Sequence, residues 1–429
     1  ADVRALVRAR VGRWVGARDP LAGAIVTAIL IGDRTGLPDE VRTRLQAAGT
    51  YHVIAISGGN IAVLAALIAG VLLLTGLTGR VSTAAIIVGL VAYAAVVNVG
   101  PSVWRATATA VAYLVARLID HRSPPWNAMA VSGALLACVA PLDVRNAGFA
   151  LTFGATAAIV EVARRVPRPP RPARISSILA WWLAASVAAS VAAEIVLLPI
   201  SASVFSRVTS AGLVLNLAAV PLMTIAQVAG LAVVAGGSIE PFAEVAGVIA
   251  ALGASMLVES ARLIEVVPWL AIRVPGPSLF VVLIYYVSLG AALWAPRRSP
   301  LSNVRAVAAS VTALCAIVIL TGAAPRVRSS PAEGRLTLTV WDVGQGEAIL
   351  LQTPAGRSLL IDAGGAGFDG NAFDIGGRVL APALWAHGIR SLDVLAITHG
   401  DPDHIGGAAP LVRDLSPGAL WQGVPVPGH

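Results

Sequence analysis

Apolar runs of membrane-spanning length recur along this chain, and they constrain its fold more than any other feature. A bilayer core about 30 Å thick is crossed by about 20 helical residues. Eleven stretches reach or approach that length: 20–31 (short), 52–77, 81–99, 102–119, 126–141, 144–162, 176–199, 210–235, 241–260, 275–295 and 304–322. Hydrocarbon offers no water to backbone N–H and C=O groups, so each run must be helical. Composition agrees: 57% of the 429 residues are hydrophobic and 13% are charged, against about 45–50% and about 25% in a soluble domain. Disorder and collagen-like repeats are excluded, and two cysteines exclude a disulfide-framed secreted fold. Cys138 and Cys315 both lie inside apolar runs and read as packing residues. The segment 262–273, RLIEVVPWLAIR, is too short and too charged to cross, and reads as an interfacial helix.

The formal charge is +8, and every one of the 31 basic residues is arginine. Such a balance fits nucleic acid or anionic lipid as a partner; for the loops, the positive-inside rule accounts for it as well. Arg164, Arg165, Arg168, Arg171 and Arg174 crowd one loop, which places that loop in the cytoplasm. Counting spans outward puts Arg4, Arg8, Arg10, Arg13 and Arg18 on the same side, with Arg297 and Arg298. The span at 304–322 then delivers the rest of the chain to the outer face. The opening ADVRALVRAR lacks an initiator methionine, and with the ending GVPVPGH it leads us to expect a piece of a longer protein.

Polar residues inside the runs mark cavities or helix contacts. Arg105 stands about one turn inside 102–119, where a lipid-facing arginine would snorkel. Glu194 and Asn216 lie deeper, followed by Pro199 and Pro221, a pattern of proline-interrupted spans. An interhelical hydrogen bond is the alternative role for Asn216. In YHVIAISGGNIAVLAAL, His52, Ser57, Gly58, Gly59 and Asn60 interrupt an apolar run; the expectation is a helix break facing water or protein, or else a small-residue packing seam.

From Arg335 the pattern changes to alternating runs punctuated by turns, with TPAGR as a hairpin turn, so a strand-rich α/β domain begins after the polar stretch PRVRSSPAEG. A strand, LDVLAIT, leads into HGDPDHIGG, where His399, Asp401, Asp403 and His404 fall within six positions. His399 and Asp401 at the strand end suit one metal, Asp403 and His404 in the next turn a second. Imidazole with carboxylate fits zinc or manganese. Two such ions about 3.5–4 Å apart activate hydroxide and stabilise a phosphoester leaving group. Gly406 and Gly407 allow close backbone approach before the next helix. His387 and His429 have no comparable context.

THGDPDHIGG resembles the H-x-D-x-D-H signature of metallo-β-lactamase-fold domains. WDVGQGEAILL resembles the turn that opens this domain in the ComEC family of DNA-uptake channels. HVIAISGGNIAVL, GPSVWRATATA, FALTFGATA and LLPISASVFSRVTSAGLVLNLAAVPL resemble that family's membrane blocks in order, so the likeness spans roughly residues 20 to 429. The expected architecture is a polytopic α-helical membrane protein of about 11 spans followed by a truncated α/β metallo-β-lactamase-like domain. A basic, amphipathic cytoplasmic lead-in covers 1–19, the channel domain 20–322, a linker 323–334 and the partial hydrolase domain 335–429.

The resemblance implies an inner-membrane channel passing single-stranded DNA into the cytoplasm in natural transformation, with an extracytoplasmic nuclease-like domain. It implies two divalent ions (zinc or manganese) held by His399, Asp401, Asp403 and His404, with Asp403 also the expected catalytic residue. Asp342, Asp362, Gly344 and Gly346 would support the site from their turns. His52, Ser57, Gly58, Gly59, Asn60, Arg105, Glu194 and Asn216 would line the channel. Partners would include a cytoplasmic ATP-driven motor, a DNA receptor and a second copy in a homodimer. The family's OB-like domain would precede residue 1, and its later ligands, a His, a bridging Asp and a final His, would follow residue 429, so two-metal activity is expected only of a longer chain. Glu347 stands where the family commonly has Asp. A membrane-anchored metallohydrolase acting on a small phosphoester or lipid is the competing reading; eleven spans exceed what an anchor needs.

Overall fold

A computed structural model describes residues 2–97, 100–121, 124–167, 174–295, 303–323, 334–365 and 373–424. Arg168, Arg171, Arg297, Arg298, His429 and most of the expected linker lie outside the described residues. In chain order the helical part runs α1 (Asp2–Val11), α2 (Pro20–Ile31), α3 (Asp39–Ala47), α4 (Tyr51–Ile54), α5 (Gly58–Leu74), α6 (Gly79–Val97) and α7 (Pro101–Leu118). It continues with α8 (Pro125–Val139), α9 (Ala147–Arg165), α10 (Ile175–Phe205), β1 (Arg207–Thr209), α11 (Gly212–Gly236), α12 (Glu240–Ser260) and α13 (Leu263–Val266). Then come β2 (Ala271–Arg273), α14 (Leu279–Trp294) and α15 (Val304–Thr321). The remaining elements are β3 (Thr337–Val340), β4 (Ile349–Gln352), β5 (Ser358–Ile361), α16 (Ala381–Ala386), β6 (Val394–His399), α17 (Pro402–Ile405), α18 (Ala408–Leu415) and β7 (Ala419–Val424).

Each expected apolar run carries a helix, α2, α5 to α12, α14 and α15, and the run 52–77 is split between α4 and α5. Among the described residues six helices are long and apolar enough to cross a membrane, namely α6, α9, α10, α11, α12 (extended through α13) and α15. The apolar helices α2, α5, α8 and α14 are shorter. At 1.5 Å per residue the 12 residues of α2 rise about 18 Å, less than a bilayer core. The chain is a multi-pass membrane protein.

Two expectations change here. Residues 262–273 do not form an interfacial helix: α13 is a single turn, a tight turn covers Pro268–Leu270, and β2 follows. Pro268 has no N–H to continue a helix, which ends the run. Nor do the prolines interrupt their spans. α10 runs through Pro199 and α11 through Pro221, since a membrane helix re-satisfies the few backbone groups that proline frees.

The chain divides into two compact units, Ala1–Ile200 with Thr209–Ala271, and Ser201–Val208 with Ile272–His429. α14 and α15 fall in the second unit together with the C-terminal sheet.

In the first unit, local sequence sets the helix ends. Asp19 caps α2 by accepting the Ala22 N–H at 3.0 Å, Pro20 opens the helix, and Gly32 closes it at φ 68°. The core gathers Ile25, Val26 and Ile29 of α2 with Leu215, Ala219 and Ala226 of α11 and Ala250, Ala254 and Leu257 of α12. Small residues bring α11 and α12 together: a Cβ on Gly253 would lie 3.1 Å from the Ala226 nitrogen and 3.2 Å from the Leu222 oxygen.

The second unit carries a five-stranded sheet in the order β3-β4-β5-β6-β7. The first three strands pair antiparallel, joined between β4 and β5 by the TPAGR turn, where the Thr353 N–H donates to the Arg357 carbonyl at 2.9 Å. β6 and β7 add parallel to β5. Leu350, Leu360, Leu395 and Ile397 pack on Leu380, Leu384, Leu411 and Leu415, all buried. Because β5 and β6 are parallel, with Ile361 opposite Ala396, the residues just past both strands meet at one sheet edge. That edge carries Asp362 and His399. Cys138 and Cys315 are both free thiols.

Candidate metal centre and polar sites of the helical unit

Asp362 organises the C-terminal edge of the sheet. It is fully buried and holds φ 58°, a left-handed conformation uncommon for a residue with a side chain. The Thr398 N–H donates to its Oδ1 at 2.8 Å, and the Thr398 hydroxyl to its Oδ2 at 2.7 Å. His404 donates from Nδ1 to the same Oδ2 at 2.8 Å. A carboxylate that accepts the Nδ1–H hydrogen bond fixes the tautomer and leaves Nε2 as a metal donor. His404 Nε2 faces Asp403 Oδ2 at 3.7 Å. Burial alone would lower the His404 pKa, but the Asp362 hydrogen bond and the charges of Asp362, Asp403 and Glu347 hold it above the ordinary histidine value.

His399, at the end of β6, lies with Nε2 3.3 Å from Asp401 Oδ2, and its ring centroid is 4.0 Å from that of His404. All four residues of the motif therefore gather beside Asp362. Glu347 joins them: one donor atom each from Glu347, Asp362 and His404 lie within 4.8 Å of one another. Sequence reasoning registered Glu347 only as a departure and missed Thr398, which has no metal-ligand chemistry to flag it. Asp342 is exposed and accepts the Gly344 N–H at 3.2 Å, closing the DVGQG turn; among the described residues no hydrogen bond or ion pair links it to the histidines. Gly346 matters by contact, since a Cβ there would fall 2.2 Å from the Asp403 carbonyl oxygen. Imidazole nitrogens beside carboxylates are a donor set suited to a borderline divalent metal, so the residues present fit one.

In the helical unit the break between α4 and α5 is real. Residues 55–57 leave helical structure, Gly58 and Gly59 are exposed, and Asn60 Oδ1 accepts the Ser57 N–H at 3.0 Å and the Ser57 hydroxyl at 3.1 Å. Asn60 is fully buried and locked to α11: its Nδ2 donates to Gln227 Oε1 at 3.3 Å, and Gln227 Nε2 donates back to the Asn60 carbonyl at 2.9 Å. Gln227 escaped the sequence reading, though a glutamine amid AQVAGLAVV is itself a costly polar insertion.

Glu194 and Asn216 converge on Gly212. A Cβ there would lie 3.2 Å from Glu194 Oε1, 3.5 Å from Asn216 Nδ2 and 3.9 Å from the Gly49 carbonyl oxygen. His52 Nδ1 sits 2.9 Å from that same carbonyl, so three expected channel residues share one locality. Arg105 does not join them. Its guanidinium is buried, paired with Asp143 at 3.3 Å and donating from Nε to the Thr152 hydroxyl at 3.2 Å. The snorkelling alternative gives way to an ion-paired anchor across α7, the turn after α8, and α9.

Residues 29–299 match the competence protein family, and residues 341–421 match the metallo-beta-lactamase superfamily, a match that implies divalent metal binding. ComE operon protein 3 of Bacillus subtilis (strain 168) is 27% identical over 410 residues, which cover 92% of this chain and 50% of that protein. Competence protein ComA of Neisseria gonorrhoeae is 36% identical over 110 residues, 26% of this chain and 15% of that protein. The chain thus spans about half the length of the Bacillus relative. No solved structure matches it.

Proposed function

The chain belongs to the competence protein family, and from that premise we propose that it forms the membrane channel through which single-stranded DNA enters the cytoplasm. The observation that carries this reading is the union, in one chain, of a many-helix unit matching that family with a sheet edge that gathers His399, Asp401, Asp403 and His404 around Asp362. Eleven crossings are proposed, made by α2, α5 to α12, α14 and α15, with the N-terminus cytoplasmic and the sheet outside, in the inner membrane. The aqueous path is lined by His52, Ser57, Gly58, Gly59, Asn60, Arg105, Glu194 and Asn216, with Arg105 anchored by Asp143.

Two zinc or manganese ions are the proposed cofactors; when bound they would supply hydroxide to cut the strand that is not transported. Asp403 and His404 would hold one ion, His399 and Asp401 the other, with Glu347 as a further donor and Asp342, Gly344 and Gly346 shaping the turn. A cytoplasmic ATP-driven motor and a DNA receptor are the proposed partners, and a homodimer the proposed assembly. Deleting the gene in a host that takes up DNA should abolish transformation while leaving DNA binding at the cell surface. A deletion strain that transforms at the parental frequency would remove the channel reading, and metal-dependent phosphoester turnover by the purified chain would then favour a membrane-anchored hydrolase.

A further inference from the structure

A second charged cluster in the C-terminal unit shares no residue with the metal-type site. The Val274 N–H donates to the Ser206 carbonyl at 3.1 Å, a register that sets Arg207 of β1 opposite Arg273 of β2. Like charges facing one another across a strand pair are destabilising. Arg273 has partners: its Nε lies 3.0 Å from Oδ2 of the buried Asp414, it donates to the Gly377 carbonyl, and its guanidinium stands 5.4 Å from the Trp385 ring centroid. Asp414 is already shared, its Oδ1 lying 3.0 Å from Arg413 Nε.

Arg207 has no hydrogen bond or ion pair among the described residues. The charges that act on it are Arg273, Arg413 and Arg378, against one carboxylate, Asp414. Burial first, and then the three cations, pull its pKa below the ordinary arginine value. A half-buried guanidinium in that company lacks a counter-charge. The nearby carboxylate Asp374 acts on Arg273 rather than on Arg207, and its Oδ1 also accepts the Gly377 N–H at 2.7 Å.

Arg207 and Arg273 face one another on β1 and β2, Arg378 lies just before α16 and Arg413 on α18, and the charges of the other three all act on Arg207. A ligand that meets several of these cations at once must itself carry more than one negative charge. Guanidinium groups match phosphate oxygens in geometry as well as charge. Arg378 also stacks 5.4 Å over Phe373, whose ring is half-exposed; an exposed aromatic beside cations is the platform on which unpaired bases stack.

We propose that Arg207, Arg273, Arg378 and Arg413 cradle the phosphodiester backbone of a single nucleic-acid strand, with Arg207 making the direct contact. This rests on the DNA reading above and adds to it a second place where the strand is held.

The test uses the full chain in nanodiscs of zwitterionic lipid and a fluorescein-labelled oligothymidylate, with anisotropy titrated over a range of salt. Each phosphate contact contributes about 0.7 to the slope of log affinity against log salt for a single strand. Arg207→Gln should weaken binding several-fold and lower that slope by about 0.7, Arg207→Lys should restore the slope, and the exposed Arg378→Gln should lower it even if the Arg207 variant fails to fold. Unchanged affinity and slope in folded variants would overturn the cradle and leave the channel reading standing. A wild-type chain that binds no oligonucleotide would overturn both. If Arg207 instead governs capture by vesicles of anionic lipid while the oligonucleotide slope stays constant, the cluster binds membrane and the proposal fails.

Discussion

Asp362 is the residue on which the metal-type site turns, because one buried carboxylate accepts the Thr398 N–H, the Thr398 hydroxyl and the His404 Nδ1–H together. Removing a group that orients a metal ligand costs about 10–100-fold in metal affinity. Thr398→Val should therefore weaken zinc or manganese binding by about that factor, read by metal competition on the purified chain, while His404→Gln should reduce it further by removing a donor. Equal affinity in the Thr398 variant would separate this threonine from the site. Asp393 gives a pH dependence elsewhere in the same unit. Its carboxylate accepts the Ser358 N–H at 2.7 Å and the Ser358 hydroxyl at 3.2 Å, and the backbone bond above all holds its pKa below the usual 3.8. A depressed carboxylate stabilises the fold fully above its unfolded value and loses that contribution as pH falls through the folded one. Asp393→Asn should thus lower the melting temperature of the sheet unit at pH 7, with the gap to wild type closing below about pH 4. A gap that persists at low pH would assign the loss to packing instead.

At the scale of elements, the apolar runs made the helices legible, and the Ser57–Asn60 interruption made the break before α5 legible. Alternation and the TPAGR turn did the same for β4 and β5. What the sequence concealed were pairings set by three-dimensional packing. Asn60 and Gln227 are 167 positions apart, and Arg105 finds Asp143 38 positions away; no local spacing announces either. Glu347 reaches the histidines only because β4 and β5 pair antiparallel and bring its turn back to the sheet edge. The prolines misled because a missing N–H reads as a break, while α10 and α11 absorb it. Two variants test these contacts. Gln227→Leu removes the two Asn60–Gln227 hydrogen bonds and should cost about 1–2 kcal/mol, measured as a lower unfolding temperature in detergent. Gly253→Leu forces a side chain into the backbone of α11 and should cost about 1–3 kcal/mol or more; unchanged stability would show that α11 and α12 do not pack this closely.

For the whole molecule, the proposed orientation rests on arginine placement and span parity. A reporter active only in the cytoplasm, fused after Gly334, should stay silent, and activity there would reverse the topology. The central claim is passage of a single strand through the helical unit, and it is tested most directly by reconstituting the chain in liposomes with labelled oligonucleotide outside. Single-stranded DNA should become protected from added nuclease, duplex DNA of equal length should not, and substituting Glu194 or Asn216 with leucine should reduce the protected fraction without lowering the amount of inserted protein. Equal protection of duplex and single strand, or none of either in liposomes that hold correctly inserted protein, would contradict the account.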